Sequence, residues 1–100
     1  MKRPISCFVI TCNEVDRIEQ CLQSVAGWVD ELLVVDSGST DGTLEIARQY
    51  ADRVYETDWP GFGPQRNRAL DWCGHNWVLS LDSDEVVTEA LKHEIDTVLS

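Results

Sequence analysis

Basic residues are scarce in this chain, which carries eight Lys and Arg against 18 Asp and Glu and has a formal net charge of −10. Because no basic stripe is present to release counterions, the composition argues against a nucleic acid or an anionic membrane as the main partner. Proline and glycine are also few, with three and six residues, and 43% of the residues are hydrophobic. A disordered chain is thereby excluded, and 100 residues make one domain at most. No apolar run reaches the ~18 residues of a membrane helix, and we expect no signal peptide.

The four cysteines, Cys7, Cys12, Cys21 and Cys73, lack the spacing of a paired zinc or redox site. Cys7 and Cys21 fall at apolar-periodic positions, so we predict that they lie in the core. Cys12 lies near the predicted rim of the sheet and is expected to be partly exposed. Reduced thiols are the usual state in a cytosolic protein, which is the location we expect.

Strand and helix patterns alternate along the chain with a period of about 25 residues, which is typical of parallel βαβ units. Near-continuous apolar runs predict strands that are buried on both faces. The predicted strands are Ile5–Thr11, residues 32–35, Arg53–Glu56 and residues 77–81. We predict an α/β fold with a mostly parallel sheet in the order 3-2-1-4, whose short, polar third strand lies at an edge.

Each predicted helix has a residue suited to its N-terminus. These residues are Asn13, Ser39 or Thr40, Pro64 and Thr88 for the first to the fourth helix. Gly27 is expected to end the first helix, and Asp41 to serve the N-terminus of the second. The last helix should carry a half-covered apolar face, made of Leu91, Ile95, Val98 and Leu99.

Polar residues follow three of the predicted strands at the point where each strand ends. The carboxyl ends of parallel strands meet at one edge of a sheet, and in open α/β sheets ligands bind there, so we expect one site at this edge. An Asp-x-Asp sequence after an apolar strand offers oxygen ligands to a divalent cation, which can in turn hold a diphosphate. The candidate residues are Thr11, Asn13, Glu14, Asp36, Asp82 and Asp84.

The candidates also have purely structural explanations. Thr11 and Asn13 are of the residue types that cap helices, and Asp36 is of a type that braces an Asx turn. We favour a ligand role for Asp36. Asp82 and Asp84 could form an ordinary solvated turn, but two neighbouring acids repel each other without a cation, so we favour metal contact.

Aromatic and basic residues occupy the segment after the third strand. Trp59 and Phe62 either stack on a base or sugar or simply cover the sheet edge. Arg66 is suited to contact phosphate or to balance the acids, whereas for Arg68 we prefer a surface salt bridge. Glu85 is expected to support the rim.

Together, these segments resemble the nucleotide-binding half of the inverting, family-two glycosyltransferases. The matching segments are residues 10–14, 35–43, 65–67 and 81–84, in the family's order. The resemblance implies a truncated three-layer, Rossmann-like nucleotide-diphospho-sugar transferase fold, with residues 1–100 as a single domain of a longer enzyme. Residues 59–68 are similar to the branch that adds glucose to an inner-core sugar of bacterial lipopolysaccharide.

The resemblance also assigns roles. The nucleotide-binding residues that it implies are Thr11, Asn13, Glu14, Asp36, Arg66 and Asp82, and the implied metal ligands are Asp84 and Asp82. Asp36 would read the base, Arg66 would lie near the base or diphosphate, and the cation would be Mn²⁺ or Mg²⁺. The donor would be a UDP-sugar, with UDP-glucose expected, and the acceptor a saccharide or lipid-linked saccharide. The full-length enzyme is expected in the cytoplasm, peripheral to the inner face of the membrane.

Two residues depart from the family pattern. Cys12 stands where many relatives carry an aromatic residue, and Ser37 replaces a second acid that is common after Asp36. The family's general base follows the Asp-x-Asp strand, so we expect it beyond Ser100. We therefore predict that these 100 residues bind donor weakly or not at all and do not transfer sugar.

Two other classes of protein fit parts of the pattern. A haloacid-dehalogenase-type phosphatase would use Asp82 as nucleophile and Asp84 as acid/base, although that motif should open the domain. A receiver-like or other non-enzymatic acidic α/β module is the second alternative, although the third strand lacks the phosphoacceptor Asp that a receiver needs. Self-association through the last helix or the sheet edge is a further possibility, and it is compatible with the glycosyltransferase hypothesis.

Overall fold

A computed structural model describes residues 3–100 and contains four strands that alternate with four helices. The elements in chain order are β1 (Ile5–Thr11), α1 (Ile18–Val25), β2 (Glu31–Asp36), α2 (Thr43–Tyr50), β3 (Arg53–Glu56), α3 (Phe62–Trp72), β4 (Trp77–Asp82) and α4 (Glu89–Leu99). All strand pairs are parallel, and the order is β3-β2-β1-β4. The predicted α/β class, the strand order and the edge position of β3 are therefore confirmed.

The sheet is covered on both faces because successive strand residues point to opposite sides. One face packs against α1 and α2 in a core that includes Cys7, Cys21, Leu22, Val34 and Ala47. The other face packs against α3 through a smaller cluster of Phe8, Leu33, Val35 and Ala69. Cys7 and Cys21 are fully buried, as predicted, and Cys12 is exposed.

The starts of the first two helices differ from the prediction. Helix α1 begins at Ile18, and Asn13 instead has a left-handed φ of 53°. Helix α2 begins at Thr43 after Gly42, which has a φ of 100°, so neither Ser39 nor Thr40 is its cap. The physical reason is that the polar groups of these two loops bond to each other rather than to the nearest helix. Asp41 does serve α2, since its Oδ1 accepts a hydrogen bond of 3.1 Å from the Thr43 N–H.

The last two helices follow the prediction more closely. Thr88 caps α4, because its Oγ1 accepts a 3.1 Å hydrogen bond from the N–H of Leu91. Helix α3 starts at Phe62, two residues before the predicted opening at Pro64. The outer face of α4 is half covered, with Leu99 buried and Val98 72% exposed. Among the helices within residues 3–100, none combines the length and apolar character needed to cross a bilayer.

Candidate functional site

The parallel register brings three strand ends side by side at one edge of the sheet. Thr11 at the end of β1 is paired with Asp36 at the end of β2, and Ile10 is paired with Asp82 at the end of β4. A cavity of about 470 Å³ opens at this edge, within the range of about 300–1,000 Å³ that is usual for small-molecule sites. Its lining residues are Ile10, Thr11, Cys12, Glu14, Ser37, Trp59, Phe62, Asp82 and Ser83.

The structure separates the candidate residues into two groups. Thr11, Glu14 and Asp82 line the cavity. The other four candidates, Asn13, Asp36, Arg66 and Asp84, lie outside its lining. Thr11 is 3% exposed, and its hydroxyl has no hydrogen-bond partner among residues 3–100. A buried hydroxyl without a partner is costly, so a ligand that supplied one would gain from it.

Asp36 is fully buried and braces the turn that follows β2. Its Oδ2 accepts hydrogen bonds from the N–H groups of Gly38 and Ser39 at 3.0 and 2.8 Å, and the Ser39 hydroxyl donates to Oδ1. These contacts match the Asx-turn explanation. Contact with a base remains a prediction for this residue.

The loops at residues 12–15 and 37–42, the rim loops, are bonded to each other. The Asn13 N–H donates to Ser39 Oγ, and the Thr40 N–H donates to Asn13 Oδ1, both at 2.8 Å. The Val15 N–H donates to Asp41 Oδ2 at 3.2 Å. Asn13 therefore holds the two rim loops together, a role that its local sequence did not reveal.

An acidic turn follows β4 and carries Asp82, Asp84 and Glu85, all exposed. Glu85 supports the turn, because its Oε1 accepts a 2.8 Å hydrogen bond from the N–H of Asp82. Burial, followed by the negative charges of Glu85, Asp84 and Asp82, raises the pKa of the nearby Cys21 thiol to about 12. The carboxylates of Asp82, Asp84 and Glu85 thus concentrate negative charge beside the cavity, which Asp82 lines.

The acidic turn has the donor atoms for a hard divalent cation. Within residues 3–100, no three His, Cys, Asp or Glu side chains come together as a ready-made metal cage. Magnesium is usually held by one or two carboxylates together with substrate phosphates and water, so Asp82 and Asp84 fit an ion that arrives with a diphosphate.

Two aromatic side chains, Trp59 and Phe62, form part of the cavity lining. The rings of Trp59 and Phe62 meet edge to face with centroids 5.3 Å apart, and the two residues are 50% and 53% exposed. The Arg66 guanidinium carbon lies 6.0 Å from the Phe62 ring centroid. We call Trp59 and Phe62 the aromatic wall.

Two side chains of α3, Gln65 and Arg68, hold the segment that leads into Trp59 of the aromatic wall. Gln65 is fully buried, and its Nε2 donates to Thr57 Oγ1 at 2.9 Å and to the Asp58 carbonyl at 3.4 Å. Arg68 forms an ion pair of 2.7 Å with Asp58, which confirms the predicted surface salt bridge. The hydrogen bond from Arg68 and its positive charge hold the pKa of the Asp58 carboxyl below its ordinary value. No role was predicted for Gln65 from the sequence. The local signal for its burial is its position four residues before Ala69, which is also buried.

Comparison with known proteins decides which family this site belongs to. The model of Glycosyl transferase family 2 matches residues 6–95. The chain belongs to this family. An uncharacterized glycosyltransferase of Rickettsia felis is 41% identical over 96 residues, which cover 96% of this chain and 34% of that protein. The lipopolysaccharide core biosynthesis glycosyltransferase LpsC of Rhizobium meliloti is 34% identical over 104 residues, which cover 99% of this chain and 38% of LpsC.

Solved structures similar to this family 2 chain confirm the Rossmann-like glycosyltransferase fold. TarS 1-349 of S. aureus has a TM-score of 0.75 at 33% identity, over 91% of this chain and 31% of that one. Glucosyl-3-phosphoglycerate synthase of Mycobacterium tuberculosis, solved with Mn²⁺, UDP and glucosyl-3-phosphoglycerate, has a TM-score of 0.70 at 33% identity, over 81% and 33% of the two chains. The chain thus spans about a third of the length of the relatives that it matches.

Membership of family 2 favours the glycosyltransferase hypothesis over the two alternatives. The Asp82–Asp84 turn follows β4, at the edge of the sheet, whereas the phosphatase pattern would open the domain. The phosphatase hypothesis also leaves the Asp36 segment after β2 unexplained, whereas the glycosyltransferase hypothesis uses it.

Proposed function

We propose that this chain is the donor-binding part of an inverting glycosyltransferase that takes a UDP-sugar, expected to be UDP-glucose. The observation that carries the proposal is the register that sets Thr11, Asp36 and Asp82 on three adjacent strand ends beside one cavity. Glucosyl-3-phosphoglycerate synthase, which has the same fold, was solved with UDP and with either Mn²⁺ or Mg²⁺.

Different residues of the site would contact different parts of the proposed donor. The unpartnered Thr11 hydroxyl bonds the nucleoside, and the rim loops, fixed by Asn13 and Asp36, shape the space around it. Glu14 lines the same space, and Arg66, whose guanidinium lies beside the Phe62 ring, would contact the base or diphosphate.

Asp84 and Asp82 would hold Mn²⁺ or Mg²⁺ at the diphosphate. A cation bound there supplies Lewis-acid stabilisation of the departing nucleoside diphosphate. The protein's own contribution is a strand end that presents two carboxylates to solvent next to the cavity. The concentrated negative charge of the turn disfavours a bare diphosphate, which makes binding depend on the cation.

The acceptor side of the reaction is proposed to lie outside these 100 residues, in keeping with relatives about three times as long. The acceptor would be a saccharide or lipid-linked saccharide, and similarity to LpsC supports a step in lipopolysaccharide core biosynthesis. The four unpaired cysteines support a reducing, cytoplasmic location. The general base is assigned to the same outside part, so the chain alone should not transfer sugar.

Calorimetric titration with UDP, with and without Mn²⁺, tests the proposal. We expect binding that requires the metal and is lost in Asp84→Ala. The matched control is Asp71→Ala, which removes an exposed carboxylate from α3. The same titration is made on a chain extended past Ser100, because residues 1–100 alone are expected to bind donor weakly or not at all. Absence of binding at millimolar UDP and Mn²⁺ by the extended chain, or binding by its Asp84→Ala variant equal to that of the unsubstituted chain, would contradict the proposal.

A further inference from the structure

We propose that Trp59 is the platform on which the nucleobase of the donor stacks, with Phe62 as its support. This inference rests on the proposed function, because it assigns one part of the nucleotide to one wall of the same cavity. Within residues 3–100, the cavity lining holds two aromatic rings, and both belong to the aromatic wall.

The distribution of polar and flat groups in the cavity determines how a nucleotide would lie. The polar or acidic residues Thr11, Glu14 and Asp82, from β1, a rim loop and β4, also line the cavity. Cys12 adds a small thiol, which donates to the Ser37 carbonyl at 3.6 Å and offers no ring. A nucleotide has one flat aromatic end and one charged end, so its base belongs against the aromatic wall and its diphosphate towards the acidic turn.

Trp59 is the better platform of the two rings. The Phe62 ring already has the Arg66 guanidinium near it, at 6.0 Å, and meets Trp59 edge to face at 81°. Trp59 is the larger ring and is 50% exposed, although a side chain of this size is normally well buried. A nucleobase that stacks on it would cover apolar area that now faces water.

The platform is held in place before any ligand binds. Gln65 binds both Thr57 and Asp58, and Arg68 forms an ion pair with Asp58, so the two residues that precede Trp59 are tied to α3. A wall that is already ordered loses little conformational entropy when a base stacks on it.

The test compares substitutions that keep or remove the ring at position 59. UDP is titrated in the presence of Mg²⁺ into the wild type and into Trp59→Leu and Trp59→Phe. The matched control is Trp77→Leu, since Trp77 is 44% exposed but lies at the start of β4, at the opposite edge of the sheet. Base–aromatic stacking predicts that Trp59→Leu weakens UDP binding by about 5- to 160-fold. Trp59→Phe should retain most of the affinity, and Trp77→Leu should match the wild type.

Proton NMR adds a readout that does not depend on affinity. The indole N–H resonance of Trp59, assigned by its loss in Trp59→Phe, should shift when UDP is added. Wild-type UDP binding with equal affinity in Trp59→Leu, or equal losses in Trp59→Leu and Trp59→Phe, would overturn this inference and leave the proposed function intact. Where residues 1–100 bind UDP too weakly to measure, the same variants are compared in a chain extended past Ser100, and failure of that extended chain to bind UDP would overturn both.

Discussion

Replacement of Glu31 by Gln is expected to lower the free energy of unfolding by about 2 kcal/mol at neutral pH. Glu31 begins β2, and its Oε1 accepts hydrogen bonds from Ser6 Oγ at 2.8 Å and from the Gly74 N–H at 2.7 Å. Its Oε2 is paired with the Arg53 guanidinium. One carboxylate therefore ties β1, β3 and the turn before β4 to β2 at the amino ends of the strands.

The magnitude follows from the hydrogen bonds that remain, in weaker form, when Glu31→Gln replaces the carboxylate by a neutral amide. Hydrogen bonds to a charged acceptor contribute roughly 1.5–3 kcal/mol, against about 1 kcal/mol for neutral ones, so two bonds that lose the charge give up about 1–4 kcal/mol. Gly74 is exposed and Arg53 is about half exposed, which favours the lower half of this range. A loss of about 2 kcal/mol corresponds to a fall of roughly 8–16 °C in Tm for a domain of this size.

The effect should depend on pH in a defined direction. Partial burial by itself raises the pKa of the Glu31 carboxyl, but hydrogen bonds from Gly74, Ser6 and Arg53 outweigh it and hold the pKa below its ordinary value. A carboxyl of this kind adds stability above its unfolded pKa of about 4.3 and loses that contribution as the pH falls through the folded pKa. The difference between wild type and variant should be complete at neutral pH and shrink in acid.

Urea denaturation measures both effects, at pH 7 and at the lowest pH where both proteins are folded. The control is Glu56→Gln, which removes an acid from an exposed ion pair with Arg48, with side chains 59% and 54% exposed. Glu56→Gln should lower the free energy of unfolding by under ~1 kcal/mol. Equal losses for Glu31→Gln and Glu56→Gln, or a Glu31 effect that persists unchanged in acid, would refute the reasoning.

Three further substitutions test other parts of the structure. Thr11→Val should leave Tm unchanged or raise it, because the lost hydroxyl has no partner within residues 3–100. The same substitution should weaken UDP binding, measured by calorimetry, and a large fall in Tm would show that the hydroxyl is structural. Thr88→Ala should cost about 1 kcal/mol in urea by removing the cap of α4, whereas Thr88→Ser should not, and equal stability of the two variants would argue against the cap. Asp36→Ala should cost about 1–3 kcal/mol, because it strips buried acceptors from the turn N–H groups, and a thermal melt that matches the wild type would contradict that role.

The architecture could be predicted from the sequence because its signals are local. Strands covered on both faces read as continuous apolar runs, as in residues 5–11 and 32–35, and acidic turns mark where β2 and β4 end. The edge position of β3 followed from its polar sequence. Thr88 was predictable as a cap because its partner Leu91 is three residues away.

The errors share one cause, which is contact between residues distant in the chain. Asn13 was predicted to cap α1, yet its Oδ1 accepts from Thr40, 27 residues further on. Gln65 is a different case, since it looks like any polar helix residue, yet its fully buried side chain bonds to Thr57 and Asp58, only eight and seven residues earlier. No local pattern records such contacts. In the site, the strand ends were predictable. For Trp59 and Phe62 the sequence left open whether they stack on a base or sugar or cover the sheet edge, and the structure places both in the cavity lining.

The hydrogen bonds between the rim loops bear on the cost of recognition. Fixing the backbone of a loose loop costs roughly 1–2 kcal/mol per residue, and a ligand that orders such a loop must offset that cost from its own contacts. Here the rim loops are already ordered in the folded chain. Hydrogen bonds join the loop after β1 to the loop after β2, through Asn13, Ser39, Thr40 and Asp41. A molecule that enters the cavity thus meets a preassembled surface, and most of the free energy of its contacts is retained as affinity.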